Sequence, residues 1–211
     1  GLTEEAAIHR KLNFIRCPVE ALRLLSIDPA KVTDVIVTHL HYDHAGNLHR
    51  FPSAKFHIQD REMAYATGKF MCHALLRKPF DLESTLCMVR HVYEDRAAFH
   101  EDTSELAPGL ILHRIGGHSA GLQVVRVWTR RGWVVIASDA SHLYQHFEQR
   151  RCYPIVGNIA DMLEGYNLLY QLADSGKHII PGHDPLVMKF YPTAESETQG
   201  VVVRLDVDPM G

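Results

Sequence analysis

The chain has little cysteine, little excess charge and no long apolar run, and each scarcity excludes something. Its four cysteines, Cys17, Cys72, Cys87 and Cys152, are widely spaced and form no CxxC pair. That rules against a disulfide framework and reads as reduced, mostly packed residues of a cytosolic protein, so a cytoplasmic location is expected. Lys and Arg total 22 against 25 Asp and Glu, a net charge of −3 without a basic cluster. No nucleic-acid partner is therefore expected. The apolar runs are too short to cross a bilayer, so no membrane partner is expected either. No internal repeat, linker or low-complexity tract interrupts the chain. It opens on Gly1-Leu2-Thr3-Glu4-Glu5, with neither a starting Met nor a leading strand. It reads as a fragment or a processed chain, and the lack of a targeting signal here carries no weight.

What is present suits one sizeable core: 211 residues, 46% of them hydrophobic. Residues 1–211 are expected to form a single α/β domain. Helices are expected from Thr3 to about Phe14 and from Pro18 to Leu25, the latter with Pro in its first turn and Val19, Leu22 and Leu25 three apart. Asp34 to Leu40 and Ala54 to Ile58 read as strands, and Asp60 to about Ala66 as a helix. Residues 68–100 lack strand character and are expected to be helical, as core or as an insert walling an apolar pocket. Strands follow at 110–115, 122–129 and 132–138. Asn158 to Ala173 is an amphipathic helix, and Val201 to Val207 reads as a last strand.

The chemistry begins at Thr38-His39-Leu40-His41-Tyr42-Asp43-His44-Ala45-Gly46, which puts three histidines and an aspartate directly after the apolar Val35-Ile36-Val37. In an extended stretch His39 and His41 share a side, because side chains alternate. A turn then carries Asp43 and His44 to a second position. Imidazole with carboxylate is a donor set that zinc and related divalent ions prefer. The plain alternative is a polar, histidine-rich turn. Four donors this close in sequence crowd any attempt to close two metal spheres, so distant strand ends should contribute more. They do. His118 sits in Gly116-Gly117-His118-Ser119-Ala120-Gly121 between two apolar runs. Asp139 follows Trp133-Val134-Val135-Ile136-Ala137, and His183 follows Ile179-Ile180-Pro181-Gly182. Four strand ends bearing His or Asp beside small residues outweigh the packing explanation that would suit any one histidine alone.

In that order HLHYDHAG, GGHSAG, SDAS and PGHD resemble the metallo-β-lactamase superfamily of hydrolases. Within it, GGHSAGLQVVRV, ASDASHLY and IIPGHDPLVM are most similar to the N-acyl homoserine lactonases. The resemblance reaches about Pro192. It implies an αββα sandwich whose first strands lie outside this chain, leaving an unpaired sheet edge. It also implies two divalent metal ions, zinc first, with iron, manganese or cobalt as alternatives. On that reading His39, His41 and His118 hold one metal, Asp43, His44 and His183 the other, and Asp139 bridges them. A metal-bridging hydroxide would attack the carbonyl carbon of a small-molecule lactone or ester, and Asp43 would orient it and pass a proton to the leaving oxygen.

One departure concerns the oxyanion donor. The lactonases carry Asp-Ala-Ser-Tyr, whereas this chain reads Asp139-Ala140-Ser141-His142-Leu143-Tyr144. Either Tyr144 reaches in, which is favoured since a hydroxyl is a good neutral donor, or His142 takes the role. The substrate implied is an N-acyl homoserine lactone with its tail against residues 68–88, as in quorum quenching. Alternatives are another lactone, a thioester of the glyoxalase II kind, or an inactive metal-binding fragment. Many proteins of this group are dimers, so a homodimer is compatible.

Overall fold

The computed structural model describes residues 1–210 and divides into two compact units, Gly1–His100 and Glu101–Gly211. Each unit carries one sheet with helices beside it.

In the first unit, helix α1 spans Glu4–His9 and α2 spans Pro18–Leu24. Thr3 caps α1 by accepting from the N–H of Ala6, which satisfies one of the orphan donors of a first turn. The helix is shorter than the expected stretch to Phe14, for a local reason. Lys11 takes a left-handed φ of 58°. Its N–H donates to the Ile8 carbonyl, and that of Leu12 to Ala7. This hydrogen-bond pair is a Schellman stop. The same stop, again without glycine, ends α2 at Ser26, and it ends α6 (Leu82–Tyr93) at Asp95. Sequence alone does not show these ends, because the usual Gly is missing.

Three parallel strands form this unit's sheet in the order β1-β2-β3: Asp34–Ile36, Lys55–Gln59 and Ala97–His100. β1 is shorter than the expected Asp34–Leu40, and the chain leaves the sheet before the histidine loop. A short helix α3 (Tyr42–Ala45) closes that loop. Helix α4 is Asp60–Ala66 and α5 is Ala74–Arg77. Residues 69–93 are largely helical as expected, but 97–100 form a strand that the sequence reading missed. Ala-Ala-Phe-His has weak strand propensity of its own, and it is set by pairing with β2. Val37, Leu40, Phe56, Ile58, Met88 and Phe80 form the core here.

The second unit is a five-stranded sheet in the order β4-β5-β6-β7-β8: Thr103–Ala107, Leu110–Arg114, Gln123–Thr129, Gly132–Ser138 and Ile179–Pro181. β4, with its half-exposed alternation, was also missed. β4 through β7 pair antiparallel, and β8 pairs parallel with β7. So β5, β7 and β8 all run the same way, and their carboxyl ends share one rim of the sheet. That is the topological reason three separated motifs can meet. Helix α7 is Tyr144–Glu148 and α8 is Ile159–Leu172. Asn158 caps α8 by accepting from Ala160 and Asp161, and Met162, Tyr166, Leu169 and Leu172 pack inward with Leu122, Val124 and Val135. Each fully buried large apolar side chain contributes about 1.5–3 kcal/mol.

The expected strand at Val201–Val207 does not form. Past the short α9 (Val187–Phe190), Val203 makes a single bridge to Thr193. The alternating pattern serves instead to rest Val203 and Leu205 on Val134, Ile180 and Tyr191, while Arg204 grips Asp206 through two hydrogen bonds. Among the described residues no helix is long and apolar enough to cross a membrane.

Candidate metal centre

The first unit gathers His39, His41, Asp43 and His44 in one loop. His39 and His41 are fully buried. Their ring centroids stand 4.5 Å apart, and those of His39 and His44 4.1 Å apart. Asp43 Oδ2 lies 3.6 Å from His44 Nε2. Buried imidazoles at this spacing are costly unless something satisfies them. Thr38 Oγ1 lies 3.3 Å from His39 Nδ1 and 3.4 Å from His44 Nδ1, steadying both rings from behind. Glu62 on α4 is completely buried and accepts from the Leu40 N–H at 2.9 Å, pinning the loop between the two histidines. Sequence reasoning missed Glu62; its only signal was a carboxylate on the inward face of α4. Phe80 stacks edge-on to His41 at 4.6 Å, and the Pro79 carbonyl accepts from Tyr42 N–H. The segment after α5 therefore walls the histidine loop.

The second unit gathers the rest around one carboxylate. Asp139 is buried, directly after Ser138, whose φ of 47° swings the chain off β7. His118 Nε2 lies 3.3 Å from Asp139 Oδ2, His142 Nε2 lies 2.9 Å from the same oxygen, and His183 Nε2 lies 3.1 Å from Oδ1. Two backbone bonds, Gly182 N–H to Ser141 and His183 N–H to His142, lace the two loops together. Gly182 is there for space: a Cβ would come within 2.7 Å of the Ser138 carbonyl. The Tyr153 hydroxyl donates to the Asp139 carbonyl, and its ring stacks on His142 at 3.9 Å. Burial, then the nearby Asp139 carboxylate, pushes the Tyr153 phenol well above its ordinary range, so it stays a neutral donor. The sequence offered no mark for Tyr153.

The donor chemistry fits a divalent metal. His118 Nδ1 lies 2.8 Å from the Ile155 carbonyl, which can only accept, so Nδ1 carries the ring proton. That contact leaves Nε2 as the ring atom facing Asp139, 3.3 Å from Oδ2. A buried carboxylate met by imidazole nitrogens is a donor set that a divalent cation fits, and a backbone-oriented imidazole is the usual preparation of a metal ligand. His118, Asp139 and His142 offer ligand atoms that all lie within 4.8 Å of one another.

Tyr144 is elsewhere. Its N–H donates to Asp184 Oδ2, and its ring packs on Phe147 and Phe190. It lines a cavity of about 680 Å³ with Leu186, Tyr191 and Met210. Asp184 spends its other oxygen on Leu186 N–H. Three polar side chains on the strands of the two sheets have local partners too. Arg126 stacks over Trp133 and donates to the Leu172 carbonyl. His57 lies between Asp34 and His100 at 3.0 Å from each. His113 faces Thr103.

Residues 1–194 match the family model of the Metallo-beta-lactamase superfamily. The chain belongs to that superfamily. Among curated proteins it is similar to the N-acyl homoserine lactonase AttM of Azorhizobium caulinodans, 29% identical over 178 residues, covering 79% of this chain and 64% of that protein. It is also similar to the N-acyl homoserine lactonase AiiA of Bacillus thuringiensis subsp. kurstaki, 28% identical over 169 residues, covering 79% and 61%. The chain thus spans somewhat under two thirds of these two relatives' lengths. A solved N-acyl homoserine lactone hydrolase, with the product N-hexanoyl-L-homoserine at its catalytic metal center, superposes with a TM-score of 0.67 at 26% identity, over 81% of this chain and 63% of that one. A probable metal-dependent hydrolase from Staphylococcus aureus, at 15% identity, shares the fold with a TM-score of 0.73 over 96% of this chain and 73% of that one. The architecture is accordingly that of the metallo-β-lactamase fold.

Proposed function

We propose that this chain is a dimetal hydrolase that opens the ester bond of a lactone ring, with N-acyl homoserine lactones as its substrates. The observation that carries the reading is the Asp139 cluster, where a buried carboxylate meets three imidazoles and one of them, His118, is oriented by a carbonyl with its Nε2 toward that carboxylate. His39, His41 and His118 are the proposed ligands of one ion. Asp43, His44 and His183 are those of the other, and Asp139 is shared. Each set takes residues from both halves of the chain, and superfamily membership is what supports the grouping. Zinc suits these donors, as do iron, manganese and cobalt. Bound divalent metals supply Lewis acidity and lower the pKa of a water toward neutrality.

The chain's own residues do the rest. Asp43, partly exposed at the loop's edge, takes the proton of the attacking water on its carboxylate and returns it to the leaving alkoxide. Thr38 and Glu62 hold the loop so that this carboxylate keeps its place. Of the two candidate helpers, His142 stands at Asp139 and Tyr144 stands in the apolar cavity, so Tyr144 is given no role at the centre. The walling segment around Phe80 offers the acyl tail an apolar surface. Similarity to named lactonases supports the substrate class.

The test is pH-stat turnover of zinc-loaded protein on short- and long-chain N-acyl homoserine lactones beside a chelated control. Chelator-sensitive acid release is expected. Two bound ions with no ring opening would refute the substrate and redirect the search to other lactones and thioesters.

A further inference from the structure

His142 has no place among the seven proposed ligands, yet its position resembles theirs. Its Nε2 lies 2.9 Å from Asp139 Oδ2, the same oxygen that the proposed ligands His118 and His183 approach at 3.3 and 3.2 Å. Two donors bound to one divalent ion at about 2.1 Å, at tetrahedral or octahedral angles, stand about 3.0–3.4 Å apart. All three separations are near that range. The ligand atoms of His118, Asp139 and His142 also lie within 4.8 Å of one another, and all three residues belong to the second unit. The ring is not placed by chance. It lies flat against Tyr153 at 3.9 Å with a 23° tilt, and Tyr153 is itself tied to the Asp139 carbonyl. Its backbone carbonyl accepts from His183 N–H, so ring and loop move with the other donors.

We infer that His142 is a metal ligand, forming a three-donor site with His118 and Asp139. The inference deepens the dimetal reading and rests on it for the other ligands and for the count of ions. Its consequence is an ion held by one imidazole more than the proposed set provides, and correspondingly tighter.

The experiment uses the full chain with histidines labelled by nitrogen-15 and the site filled with cadmium-113. Six imidazoles coupled to cadmium are expected: His39, His41, His44, His118, His142 and His183. Wild-type protein in which His142 shows no coupling overturns the inference, whatever any variant does. In parallel, His142→Phe keeps a ring on Tyr153 and removes the nitrogen. Its affinity for the tighter zinc, from competition with a chromophoric chelator, is expected to fall at least about tenfold, and the visible bands of the cobalt-loaded protein are expected to change. Unchanged affinity and bands in a folded variant whose ester turnover nonetheless drops would make His142 a hydrogen-bond donor to the reacting oxygen, and would refute the assignment. If the wild type opens no lactone but the His142 coupling is present, the substrate reading fails and the ligand assignment stands.

Discussion

Replacing Gly117 with alanine should damage fold and metal site together. Gly117 sits at φ 83°, one residue before His118, and a Cβ there would lie 2.6 Å from Met162 Cα and 2.7 Å from its nitrogen. Those atoms are backbone in the first turn of α8, so no side-chain rotation relieves the contact. The Gly117 carbonyl also accepts from Gly157 and Asn158, the entry to that helix. The left-handed conformation costs an L-residue about 1–2 kcal/mol. Forced overpacking adds about 1–3 kcal/mol, so the total is about 2–5 kcal/mol. Both tryptophans, Trp128 and Trp133, lie on β6 and β7 of the same unit, so their fluorescence reports its unfolding in urea. With a slope of about 2–3 kcal/mol per molar, the midpoint should drop by about 1–2 M. Gly200→Ala is the control: φ is 75° but nothing lies within 4 Å, so only the conformational part, about 1–2 kcal/mol, is expected. Equal losses at the two positions, or a Gly117→Ala midpoint within error of wild type, would refute the packing argument. A shift in stability with no loss of zinc affinity would refute the link from Gly117 to His118.

Other outcomes follow from the same geometry. Tyr153→Phe leaves the buried Asp139 carbonyl without its donor and should cost about 1–3 kcal/mol in urea denaturation, with weaker zinc binding; unchanged stability would show that water replaces the hydroxyl. Asn158→Ala removes the cap of α8 and should cost about 0.5–2 kcal/mol, while Asn158→Asp should restore most of it. Burial pulls the pKa values of His100 and His113 below 6.5, with the neighbouring His57 and Arg126 adding to the effect. The unfolded chain therefore binds more protons as pH falls through 6.5. Their contribution is full above 6.5 and declines on acidification until the folded rings protonate. Metal-free protein should lose urea midpoint between pH 7.5 and 5, and His113→Gln should flatten part of that slope. A midpoint that rises on acidification would contradict the assignment.

Much of the centre was legible before the fold. The HxHxDH spacing and three strand-end residues need only local patterns, since turns and small residues mark where a strand stops. The structure shows why they cluster within the second unit, with β5, β7 and β8 pointing the same way. The supporting groups were not legible. Glu62, Thr38 and Tyr153 act through contacts that no sequence period records. Strands β3 and β4 escaped because pairing, not composition, makes them extended. Val201–Val207 was misread for the opposite reason: the alternation is real, but it serves a side-chain cluster and not a ladder. The helper was ambiguous because Tyr144 and His142 are two residues apart, and only the turn into α7 decides which ring meets Asp139.

The most direct measurement of the central claim is equilibrium dialysis against zinc, with elemental analysis and lactone turnover on the same samples, for wild type and Asp139→Asn. Two ions per wild-type chain are predicted, with turnover appearing as the second binds, and at most one ion and little turnover in the variant. Two ions in Asp139→Asn, or turnover that survives removal of all metal, would contradict the account.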